Sequence, residues 1–99
     1  MKRGKFMIPA DNLIEDALRK LKKLQVNNCL DIRPYKRDRS VIIEKLHEGY
    51  NVYEDGFHIE DYKDLSNEEL KKLLKVIQKR EFPRSNIVRF TVLKSKNNI

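Results

Sequence analysis

Cysteine, glycine, proline and long apolar runs are all scarce in this chain, and each scarcity excludes something. A single cysteine, Cys29, cannot form an internal disulfide and offers no metal-ligand spacing. Three Gly and three Pro exclude collagen-like or linker-like sequence. No apolar run approaches the roughly 18 residues that a membrane span needs. Asp11 interrupts any signal-peptide core behind the basic start Met1-Lys2-Arg3. A cytoplasmic protein with no membrane partner is the expectation.

Catalytic signatures are also missing. There is no P-loop, dinucleotide fingerprint, HExxH or GxSxG. No cofactor, metal or enzymatic activity is therefore expected. Helix-turn-helix, zinc-finger, RNP-like and KH-type GxxG patterns are absent as well. At 99 residues the chain has room for one domain with a modest core, which excludes a multidomain enzyme. Residues 1–99 read as that domain, with 94–99 as a flexible tail.

Charge is what the sequence has in quantity. The 22 Lys and Arg against 15 Asp and Glu leave a net charge of +7. That number hides a pattern along the chain. Residues 1–39 are +6, residues 40–70 are −7, and residues 71–99 are +8.

Between the charges lie apolar stripes. Residues 9–26 read as an amphipathic helix, with Ile14, Ala17, Leu18, Leu21 and Leu24 at a 3.6-residue period. Pro9 suits its start, Asp11 or Asn12 could cap it, and the order of acidic then basic residues suits the helix dipole. Residues 29–33 alternate as a short strand. Residues 40–48 read as a short helix, although the β-branched run Val41-Ile42-Ile43 also permits a strand. In the helical reading, His47 falls in its last turn.

Asp55-Gly56 predicts a two-residue hairpin turn. That register sets Val52 opposite Ile59 and Tyr53 opposite His58, with Val52, Phe57 and Ile59 facing the core and Glu54 near water at the turn. Ser66-Asn67-Glu68-Glu69 is a capping box for a helix that buries Leu70, Leu73, Leu74 and Ile77. Residues 87–93 alternate as a last strand. The resulting fold class is α+β, in the order α-β-α-β-β-α-β. Its sheet has three or four mixed or antiparallel strands, with the helices on one face. The open face would display Arg33, Tyr53, His58, Arg89 and Thr91.

Two basic clusters are candidates for binding a polyanion. The first is Arg33 with Lys36, Arg37 and Arg39, beside Tyr35, and the second is Lys79 and Arg80 with Arg84, Asn86 and Arg89, where Ser85 adds a hydroxyl. Arginine forks match phosphate oxygens bidentately, and Tyr53 on an open sheet could stack on an unpaired base, with His58 beside it. DNA or RNA is the first partner these residues suggest. The alternative is a protein-interaction or self-assembly module, in which the acidic 40–70 segment or the open sheet face meets a protein partner or a second copy. Cys29 lacks a neighbouring base and reads as a small, partly buried residue. His47 and His58 make no metal pair, and Glu54, Asp55, Glu60, Asp61 and Asp64 lack EF-hand spacing.

Overall fold

The computed structural model describes residues 5–36, 38–83 and 85–94. Chain order is β1 (Lys5–Pro9), a 3₁₀ turn (Ala10–Asn12), α1 (Leu13–Lys23), β2 (Cys29–Pro34), β3 (Ser40–Lys45), β4 (Tyr50–Asp55), β5 (Ile59–Leu65), α2 (Asn67–Glu81) and β6 (Ile87–Leu93). The strands form one sheet in the order β1-β6-β2-β3-β4-β5, and every neighbouring pair is antiparallel. The class is α+β as expected. Six strands replace the expected three or four, and the chain begins with a strand.

Both additional strands have a physical reason. Residues 40–45 are strand, not helix, because Val41, Ile42 and Ile43 are all buried. A central strand buried on both faces needs a continuous β-branched run, whereas a helix would restrict those side chains. His47 accordingly lies between β3 and β4. β1 pairs with β6 from Lys5↔Thr91 to Pro9↔Ile87, a partner some eighty residues away with no local trace. The helix expected from residue 9 therefore starts at Leu13. Asn12 is its N-cap residue, but no side chain caps it.

Both helices cover one face of the sheet. Leu13, Ala17 and Leu21 of α1 join Leu70, Leu74 and Ile77 of α2 in a core with Leu30, Ile32, Val41, Ile43, Val52, Val88 and Phe90. α2 starts as expected. The Ser66 N–H donates to the Glu69 carboxylate at 2.8 Å, and the Glu69 N–H donates to the Ser66 hydroxyl at 3.1 Å. That bond to the Ser66 backbone holds the Glu69 carboxyl below its ordinary value.

The β4–β5 hairpin departs from expectation. Asp55 pairs with Ile59, so the loop has three residues and not two. Its cause is distant in sequence. The Glu81 carboxylate at the end of α2 accepts the N–H groups of Phe57 at 2.9 Å and His58 at 3.1 Å. The slip turns Ile59 to the open face, 76% exposed, and sets Phe57 on the loop, 70% exposed. Tyr53 faces Asp61 and not His58, and Tyr62 takes the place opposite Val52.

Glu54 is also corrected. Far from reaching water, it is 1% exposed beneath the helices. Arg80 donates to it from Nε and Nη2, both at 2.9 Å, and the Tyr62 hydroxyl donates at 2.9 Å. Burial alone would raise the Glu54 carboxyl, but hydrogen bonds from Arg80, Glu81 and Tyr62 outweigh it and hold the group below its ordinary value. Burial and the bond to Glu54 push the Tyr62 phenol up to about 12.

Candidate nucleic-acid interface

Antiparallel pairing collects the loops after β2, after β4 and before β6 at one end of the sheet. Here Arg89 of the second basic segment meets Arg33 of the first. On the open face, Arg33 of β2 stands opposite Arg89 of β6. Arg33 Nε donates to both oxygens of Asp31 at 3.1 Å. Asp31 is nearly buried, and burial raises its carboxyl despite the opposing pull of Arg33. Arg89 Nε donates to the Tyr35 carbonyl at 3.3 Å, and its guanidinium lies 4.7 Å from the Tyr35 ring centroid.

The β2–β3 loop adds Lys36 and Arg39. The Arg39 guanidinium lies 4.5 Å from the Phe57 ring centroid, and Arg39 Nη2 is 3.5 Å from Asp38. Its Nε is buried without a hydrogen-bond partner. Two clefts meet at Arg39. One, of about 620 Å³, lies between the loops and is lined by Tyr35, Lys36, Phe57, Ser85 and Asn86. The other, of about 430 Å³, runs along the open face past Arg33, Ser40, Tyr53, Asp55 and Asp61. The opposite end of the sheet carries a cleft lined by Glu48, Asp64 and Glu69. The arginine end also carries carboxylates, because Asp38, Asp55 and Asp61 line the open-face cleft beside Arg33 and Arg39.

The expected site residues fall into three groups. Arg33, Lys36, Arg39 and Arg89 are brought together. Tyr53 lies on the open face but is only 9% exposed. Its hydroxyl donates to Glu44 at 2.8 Å and accepts from Lys63 at 3.0 Å, with the Lys63 ammonium 4.5 Å from the ring centroid. His58 is in the hairpin loop, its Nε2 2.7 Å from Glu60, and so does not join the open face. Arg80 is on the helix side, held by Glu54. Arg37 and Arg84 lie outside the described residues, as do residues 95–99 of the expected tail.

Two aromatic rings stand out that were not among the expected site residues. Tyr35 is 62% exposed and Phe57 70% exposed, both on the larger cleft. Tyr35 sat in a basic run that drew attention to its charges. The two-residue turn places Phe57 in the core, in a register three residues away from the one the structure adopts. Ser85 and Asn86 supply a hydroxyl and an amide to the same cleft.

Among the described residues, no group of three or more His, Cys, Asp or Glu is placed to hold a metal ion. No helix among them is long and apolar enough to cross a membrane. Comparison with known proteins found no matching family model, no matching curated protein and no matching solved structure.

Proposed function

We propose that the protein binds nucleic acid through the arginine-bearing end of its sheet, with Arg33, Lys36, Arg39 and Arg89 contacting phosphates. It is read as a binding domain and not as an enzyme. The observation that carries this reading is the Arg33–Arg89 pair. Like charges directly opposite on neighbouring strands are destabilising, so folding gives no reason to place them there. Each arginine hydrogen-bonds within the protein through Nε, which leaves its Nη edge for phosphate oxygens. Contacts of this kind give affinity and salt dependence without base specificity.

The test is a titration at low salt with single- and double-stranded oligonucleotides. The reading expects binding that is weakened at least tenfold by the Arg33→Glu and Arg89→Glu pair. Absence of binding, or binding indifferent to that reversal, rejects it.

A second reading, docking of a protein partner or a second copy along β5, is favoured by one observation. β5 is an edge strand, with Ile59 76% exposed beside the carboxylates of Glu60 and Asp61. Edge strands expose unpaired backbone groups that another chain can extend. Sedimentation equilibrium separates the two readings. Self-association abolished by Ile59→Lys favours β5 docking, and a monomer at all concentrations removes its self-assembly form.

A further inference from the structure

The larger cleft is more than a place for phosphate. Tyr35 and Phe57 both line it, and each ring has an arginine against it, Arg89 at 4.7 Å and Arg39 at 4.5 Å. Tyr35 and Phe57 remain 62% and 70% exposed with those guanidinium groups in place, so both side chains keep surface open to a partner. An exposed aromatic ring held against a cation is suited to a planar partner that completes an arginine–ring–partner stack. The space available is about 620 Å³, within the range of small-molecule sites.

The polar lining narrows the partner. Ser85 and Asn86 border the cleft with a hydroxyl and an amide, groups that can donate to and accept from the edge of a base. Lys36 and Arg39 border it with positive charge suited to the phosphate that follows a base along a strand. Among the described residues, Asp38 is the single carboxylate lining the cleft, and it is held 3.5 Å from Arg39. The geometry points to a site for unpaired bases, in which the bases of a single-stranded nucleic acid stack on Tyr35 and Phe57. A duplex keeps its base faces stacked on one another and has none to offer these rings.

This inference rests on the nucleic-acid reading above and adds strand state and base contact to it. The two can fail separately. The test measures binding of one sequence as single-stranded DNA, as single-stranded RNA and as duplex. The protein is wild type, Tyr35→Ala, Phe57→Ala or Phe57→Trp. Both rings are exposed, so folding does not depend on them. The expected result is tighter binding of a single strand, DNA or RNA, than of duplex. Each alanine variant should lose about tenfold on the single strand, Phe57→Trp should retain affinity, and duplex binding should change little. A strand carrying 2-aminopurine should show fluorescence quenching that the alanine variants abolish.

Equal binding of duplex and single strand, unaffected by either alanine variant, overturns the stacking site while leaving phosphate contact standing. A free mononucleotide that competes as strongly as the strand also overturns it, because the cleft would then be a small-ligand pocket. Absence of binding to every form overturns both.

Discussion

Arg33 and Arg89 face each other across β2 and β6, two like charges in direct register on the open face of the sheet. Asp31 takes the Nε of the first and the Tyr35 carbonyl takes the Nε of the second. The pair is thus held apart and oriented by internal acceptors. It also joins one arginine from each of the two basic clusters, which the sequence alone leaves unconnected.

Asp31 restrains Arg33, and its removal should release that charge. Asp31→Asn is expected to tighten nucleic-acid binding about threefold at low salt, the scale of one partly exposed ion pair. Burial already raises the Asp31 carboxyl, so the folded state gains nothing from its ionisation at neutral pH. The thermal midpoint of Asp31→Asn should therefore not fall appreciably. Anisotropy titration and a melting curve check both statements, and weaker binding by the variant would contradict them.

Glu54 depends on Arg80. The carboxylate is buried under the helices, and loss of Arg80 leaves it without its charge partner. Arg80→Ala should cost about 3 kcal/mol in urea unfolding at pH 7, and Arg80→Ala with Glu54→Gln should cost less than the single change. A single variant within about 0.5 kcal/mol of wild type would show that the pair does not stabilise the fold.

Glu54 and Glu81 give opposite pH dependences. Glu54 lies below its ordinary value of 4.5, so its contribution is complete above pH 4.5 and is lost as pH falls through its folded value. Burial, reinforced by the bond to Glu54, raises Glu81 above 4.5 despite the N–H groups of Phe57 and His58. Its contribution is complete below pH 4.5 and is lost as pH rises through the raised value. The stability difference between wild type and Glu81→Gln should therefore shrink as pH rises above 4.5 and level off once the raised value is passed. Melting curves across that range check it, and a constant difference would refute the assignment.

Ser66 offers a local test. Its hydroxyl caps α2 in a reciprocal box with Glu69, and Ser66→Ala should cost about 1 kcal/mol. Chemical denaturation measures the loss, and an unchanged midpoint would mean that the box adds nothing.

That capping box was legible in the sequence because its whole cause lies within four residues. The stripes of α1 and α2 were legible for the same reason, as was the placing of Arg33, Tyr53, Arg89 and Thr91 on the open face. What escaped has causes far along the chain. β1 is defined by β6, and β3 by neighbours on both sides. The hairpin loop is lengthened by Glu81, more than twenty residues away, against a local Asp-Gly signal for a shorter turn. That one slip put Phe57 and Ile59 on the wrong side. It also concealed the second aromatic of the candidate site. The charges could be counted in the sequence, but only the strand order β6-β2-β3 brings Arg33, Arg39 and Arg89 to one end.

The salt dependence of binding tests the nucleic-acid reading most directly. The affinity of the wild type for a single strand should fall linearly with salt on a double-logarithmic plot. Three or four phosphate contacts give a slope of roughly −2 to −3, and replacing Arg33 and Arg89 should reduce it by about 1.4. A slope that is flat, or unchanged by those replacements, would contradict the account.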